Sequence, residues 1–208
     1  MTTRIKICGI TNLDDALAAC AAGADALGFN FAEEAKPKNR YIEPAAAKAI
    51  IEQLPPFVTS VAICVNDSVG RLTEYLEIVD YVQLHGEESV EVCQAVANRA
   101  LKAFRVSPDF EPKSMLAYPA AAYVLDAWTP NMRGGTGQTF DWEIAKEAVA
   151  LDRPLILAGG LTPDNVAEAV RIVQPYAVDV AGGVEASPGV KDHGKLRSFI
   201  HNAKYALS

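Results

Sequence analysis

Short apolar runs alternate with stretches of helical period along the whole chain. Arg4 to Cys8, Ala24 to Phe31, Phe57 to Val65, Tyr81 to Leu84, Ala100 to Val106, Ala122 to Leu125, Leu155 to Ala158 and Ala177 to Val180 read as strands. They are rich in Val, Ile and Ala and are bounded by Gly, Pro, Asn or Asp. Between them the pattern predicts helices. Thr11 or Asn12 caps one that carries Leu13, Leu17 and Cys20 and stops near Gly23. Pro44 opens a second, Asn66-Asp67-Ser68 caps a third, and Glu88 to Ala97 reads as a fourth. Pro112 to Tyr118 is a short, weak helix, Asp141 begins another, Thr162-Pro163 opens the next with proline in first position, and His193 to Tyr205 is the last.

Eight strand-helix units in 208 residues average about 26 residues each, near the lower limit for a (β/α)8 barrel. Near-continuous apolar strands favour a parallel sheet covered by helices on its outside. The predicted fold is α/β, a (β/α)8 TIM barrel forming a single domain over residues 1–208, with an open doubly wound sheet as the rival. Two stretches lack periodicity, Ala32 to Glu43 and Ala127 to Thr139, and read as functional loops rather than linkers.

Charge narrows the class of partner. The chain carries 19 basic and 26 acidic residues, with the basic ones scattered, which argues against nucleic acid but leaves room for a small anionic substrate. No apolar run approaches membrane-spanning length, and the N-terminal residues lack a secretory pattern. The four cysteines, Cys8, Cys20, Cys64 and Cys93, have neither paired nor zinc-ligand spacing, so the expectation is reduced thiols in a cytoplasmic protein without a metal. The pattern is compatible with a monomer or a homodimer.

In such a barrel the chemistry sits at the C-terminal ends of the strands, and phosphate is commonly held after strands seven and eight. Gly159-Gly160 and Gly182-Gly183 stand at those two places. Either pair alone reads as a tight turn, whereas the two together point to a phosphate site. Cys8 closes the first strand, where a lone cysteine is usually an inert small hydrophobe. Asp126 closes the sixth strand and Asp179 interrupts the eighth, where an unpaired charge is costly; Lys6 is its candidate partner. His85 ends the fourth strand, and Arg40 lies in the loop after the second, where it can grip a carboxylate if that loop covers the pocket. Gly134-Gly135-Thr136-Gly137 lacks the Gly-Lys-Ser/Thr ending of a nucleotide loop, and no nicotinamide fingerprint is present.

Lys6-Ile7-Cys8-Gly9-Ile10-Thr11, Gln83 to Glu88, Gly134 to Trp142, Gly159 to Val166 and Gly183-Val184-Glu185 together closely resemble the phosphoribosylanthranilate isomerase family, in order and across almost the whole chain. The resemblance implies an Amadori rearrangement in tryptophan biosynthesis that needs no cofactor. It turns N-(5-phosphoribosyl)anthranilate into 1-(2-carboxyphenylamino)-1-deoxyribulose 5-phosphate. It further implies Asp126 as general acid, Cys8 as general base, Arg40 on the anthranilate carboxylate, Asp179 on sugar hydroxyls and the two glycine pairs on the phosphate. His85 joins the substrate-binding set from its strand-end position. Thiol ionisation is expected from the helix beyond Thr11, from the substrate or from Lys6. Two stretches depart from the family pattern. The loop before Arg40 is longer than the usual Ser-Pro-Arg or Ser-Lys-Arg, and Ala181-Gly182 replaces serines after strand eight. Rival readings are another phosphate-binding barrel enzyme and a non-catalytic phosphosugar-binding protein.

Overall fold

The computed structural model describes residues 2–129, 132–133, 140–151 and 153–207. Its sheet is made of β1 (Arg4–Cys8), β2 (Ala26–Asn30), β3 (Thr59–Cys64), β4 (Tyr81–Leu84), β5 (Ala100–Val106), β6 (Ala122–Thr129), β7 (Leu155–Leu157) and β8 (Ala177–Val180). Each strand pairs in parallel with the next, and β8 returns to pair with β1, with Lys6 opposite Asp179 across the closing seam. Closure eliminates the open doubly wound sheet. Around the barrel run α1 (Leu13–Ala22), α2 (Pro44–Ile51), α3 (Val69–Tyr75), α4 (Val90–Val96), α5 (Trp142–Val149), α6 (Val166–Val173) and α7 (His193–Lys204). The weak segment between β5 and β6 forms a 3-10 turn, Pro112–Ala117.

Local chemistry explains most helix starts. Side-chain oxygens of Asn12, Ser68, Ser89, Asp141 and Asp192 each accept a backbone N–H from the first turn of the helix that follows. Of the two candidates before α1, Asn12 is the cap, and the Thr11 hydroxyl donates instead to the carbonyl of Gly189, 2.7 Å away. The Thr162-Pro163 start is displaced, because Thr162 to Asn165 folds as a turn and α6 begins only at Val166. Asn165 wins that competition by accepting the Thr162 N–H (2.8 Å) while donating to the Gly160 carbonyl (3.0 Å).

Strand alternation divides the interior into two layers. Ile5, Ile7, Val82, Leu84, Tyr123, Leu125, Val178 and Val180 face the helices in the larger core. Val61, Leu101, Ala103, Ala122, Val124, Ile156 and Ala177 fill the barrel itself. The same period of two turns Lys6 and Cys8, Asp126 and Asp179 inward. β6 is longer than the sequence suggests. It continues past Asp126, and Trp128–Thr129 pair antiparallel with Met132–Arg133 in a stretch expected to be irregular loop.

Candidate active site

A cleft of 630 Å³ opens where the strands end. Cys8 and Asp126 share it with Arg40, His85 and Asp179, and both glycine pairs form part of its wall. Every site residue picked from the sequence therefore converges on one cavity. The Gly134 to Thr139 part of the family motif lies outside the described residues.

Cys8 stands at the end of β1, opposite Gly28 of β2, and the missing side chain of Gly28 leaves room for its sulfur. Below it, Lys6 Nζ donates to Asp179 Oδ2 at 2.8 Å, with both side chains almost fully buried. The pairing expected from the sequence is thus present. Burial pushes the Cys8 thiol above its ordinary value; the Lys6 ammonium opposes that rise, Asp179 adds to it, and Lys191 opposes it. Lys6 does favour the thiolate, as expected from the sequence, but the cost of desolvating that thiolate outweighs both nearby cations. Lys6 is held above its ordinary value, since Asp179 and Cys8 together outweigh burial. Asp179 Oδ1 is buried without a hydrogen-bond partner among the described residues, an acceptor left for a donor from the cleft.

On the other wall, Asp126 Oδ1 accepts the N–H of Ala127 at 2.8 Å. Its Oδ2 lies 3.3 Å from His85 Nε2, within ion-pair range but off the line a hydrogen bond requires. His85 Nδ1 lies 2.9 Å from Gln83 Nε2. With that amide as donor, the network assigns the ring proton to Nε2, facing Asp126. Gln83, missed in the sequence, lines the cleft and carries a partnerless Oε1. Its signal was a polar residue at an inward position of an apolar strand.

The glycines are demanded by close approach. Gly159 has φ +87, and a Cβ there would overlap the backbone nitrogen of Ala127 and crowd the Asp126 carboxylate. A Cβ on Gly183 would strike the carbonyl of Leu161. The loops after β7 and β8 thus pack backbone against backbone, and Gly182–Val184 turns as a short 3-10 segment.

The long loop after β2 folds as a 3-10 turn, Glu33–Lys38, and Asn39 in the left-handed region swings Arg40 back to the cleft. Arg40 is gripped from behind by Glu185, with Nε to Oε1 at 2.8 Å and Nη2 to Oε2 at 2.6 Å. Burial pushes the Glu185 carboxyl up, but Arg40 and Lys191 pull it below its usual range. A second buried pair, Glu88 with Lys102 at 2.6 Å, holds the loop after β4, since Glu88 also accepts the N–H groups of Gly86 and Asn66. Neither carboxylate was singled out from sequence, because acidic residues in loops are usually solvated.

A family model described as N-(5'phosphoribosyl)anthranilate (PRA) isomerase matches residues 5–202. The chain is 50% identical over 207 residues to the N-(5'-phosphoribosyl)anthranilate isomerase of Pelobacter propionicus, covering 99% of this chain and 97% of that protein. Among solved structures, phosphoribosyl anthranilate isomerase from Thermotoga maritima superposes with TM-score 0.88 at 43% identity, covering 97% and 98% of the two chains. A phosphoribosyl anthranilate isomerase in complex with reduced 1-(o-carboxyphenylamino)-1-deoxyribulose 5-phosphate superposes with TM-score 0.85 at 41% identity, covering 97% and 98%. By sequence over nearly its full length and by fold, this protein belongs to the N-(5'-phosphoribosyl)anthranilate isomerase family.

Proposed function

We propose that this chain converts N-(5-phosphoribosyl)anthranilate to 1-(2-carboxyphenylamino)-1-deoxyribulose 5-phosphate, with Asp126 as general acid and Cys8 as general base. The observation that carries this reading is the meeting of Cys8 and Asp126, from β1 and β6, in one cleft walled by the two glycine-rich loops. The cleft volume of 630 Å³ suits a ligand made of a phosphorylated pentose and one aromatic ring.

The steps follow from the groups. Asp126 delivers its proton to the ribose ring oxygen; the C1–O bond breaks, and the nitrogen lone pair forms a protonated Schiff base at C1. His85 Nε2 then faces the carboxylate that Asp126 has become. Cys8 removes the proton from C2, and the electron pair moves into an enolamine that tautomerises to the ketone. C2 is oxidised as C1 is reduced, so the reaction balances without an external electron carrier. The cationic Schiff base supplies the charge that Lys6 and Lys191 alone do not, favouring the thiolate when C2 is to be deprotonated. Arg40 takes the anthranilate carboxylate, Asp179 Oδ1 a sugar hydroxyl, and the loops at Gly159-Gly160 and Gly182-Gly183 the phosphate.

We take residues 1–208 as one domain in the cytoplasm; its four thiols are unpaired, and no described helix is long and apolar enough to cross a membrane. A phosphoribosylanthranilate isomerase of Thermotoga maritima is dimeric, and a homodimer is the assembly we propose for this chain. Loss of the substrate's anthranilate fluorescence tests the function. Wild-type protein should turn over, and Cys8→Ala should lose about 10³-fold in kcat. Absence of wild-type turnover would sink the isomerase reading, whereas an active Cys8→Ala would remove only the base assignment.

A further inference from the structure

One buried cation touches the substrate in none of the steps above. Lys191 closes the short hairpin Glu185–Ser187 and Val190–Lys191 that follows β8, and its side chain has no exposed surface. An ammonium has three protons to donate and accepts nothing. Lys191 Nζ directs them to three different places: the carbonyl of Cys8 at 2.6 Å, the carbonyl of Ala181 at 3.2 Å and Glu185 Oε1 at 3.1 Å. The first carries the thiol, the second begins the glycine loop after β8, and the third holds Arg40.

The backbone around this lysine is equally determined. Its N–H donates to Asp15 Oδ2 at 2.8 Å, and Asp15 Oδ1 meets His193 Nε2 at 2.8 Å, tying the hairpin to α1 and α7. At the hairpin tip, Gly189 with φ +83 lies against the carbonyl of Asn39, where a Cβ would overlap. The residue before Arg40 is therefore braced by the same hairpin. Replacing the lysine alone would strand the Cys8 and Ala181 carbonyls and an oxygen of Glu185, so it contributes to stability as well as to geometry, and a test has to read the two separately.

We infer that Lys191 is a positioning residue that locks the thiol-bearing end of β1, the loop after β8 and the Arg40 carboxylate clamp into one geometry. The inference rests on the roles proposed for Cys8 and Arg40. Burial drives the Cys8 thiol up while the Lys191 charge opposes it, so the lysine also biases the thiol towards ionisation.

Two readouts on Lys191→Met test this. In steady-state kinetics kcat should fall about a hundredfold, the cost of a displaced reacting group, and KM should rise with it. Independently of turnover, iodoacetamide labelling of Cys8, followed by peptide mass spectrometry across pH, should move to higher pH in the variant. Kinetic constants and a labelling profile superimposable on wild type would overturn the inference, as would a lowered Tm with both unchanged. If Lys191→Met does not fold, Glu185→Gln carries the test. Weakening the link to Arg40 should raise KM about tenfold with a smaller change in kcat, and an unchanged KM would overturn the inference. An inactive wild type would refute the isomerase reading, yet the labelling shift would still decide whether Lys191 governs the thiol.

Discussion

At the N-terminal end of the barrel, Asp25 accepts the N–H of Ile5 at 2.9 Å, Asp80 accepts both the N–H and hydroxyl of Ser60, and Arg99 donates to the carbonyls of Val79 and Asp80. At the C-terminal end, Lys6, Asp179, Arg40, Glu185 and Lys191 bond chiefly to one another, and Gln83 and Asp179 each keep a buried oxygen without a partner. One end uses polar side chains to complete backbone groups at the starts of strands and in the loop before β4. The other holds charges in fixed positions and leaves acceptors unsatisfied, which costs stability unless a ligand completes them. Each end has a cavity, about 630 Å³ at the C-terminal end and about 400 Å³ at the N-terminal one, so it is the unsatisfied polar groups that mark the reactive face.

That contrast predicts opposite phenotypes. The largest effect belongs to Asp126→Asn, which should lower kcat by about 10³-fold while leaving Tm close to wild type, because the amide keeps the shape but has no proton to deliver as an acid. A matching loss of Tm would place Asp126 with the structural carboxylates. Next comes Asp25→Ala at the opposite end. It strands the N–H of buried Ile5 and should cost about 2 kcal/mol in denaturant unfolding, with kcat and KM unchanged at permissive temperature. A change in KM there would dissolve the distinction between the two ends.

The smallest effect is on acid stability. Burial pushes the Glu88 carboxyl up, but Lys102 pulls it below its usual range, and Glu185 is depressed in the same manner by Arg40 and Lys191. The unfolded chain therefore binds more protons than the native one in this window. The stabilisation is complete above the ordinary glutamate value of about 4.3 and is lost as pH falls through the depressed native values. Acid titration followed by circular dichroism should show a shallower loss of stability in Glu88→Gln than in wild type. Parallel acid limbs would mean that this pair does not drive acid unfolding.

Much of the site was legible because period-two alternation and strand ends are local properties. Cys8, His85 and Asp179 could be placed at barrel positions from the residues flanking them, and Lys6 could be matched to Asp179 because two opposite charges in apolar strands need each other. Asp126 was placed correctly although its strand runs further than its apolar segment; the extension depends on pairing with β5, where Arg105 lies opposite Asp126. Gln83, Glu88, Lys102 and Lys191 went unassigned. Gln83 did carry a local signal, whereas Glu88 and Lys102 find each other only across elements and Lys191 reaches back to the end of β1, and no local pattern distinguishes a loop glutamate that accepts a buried lysine from one that faces water.

The sequence by itself determined the alternation of strands and helices, the inward positions of Cys8 and Asp126, the two glycine loops and the family motifs, all of which follow from neighbouring residues and spacing. Only the tertiary structure decided that β8 closes onto β1, that Glu185 backs Arg40, and that Lys191 joins three parts of the cleft. It also decided the direction in which the thiol is shifted, upward through burial despite two nearby ammonium groups. Desolvation and charge pairing depend on what surrounds a group in space, and at Cys8 those surroundings come from both ends of the chain.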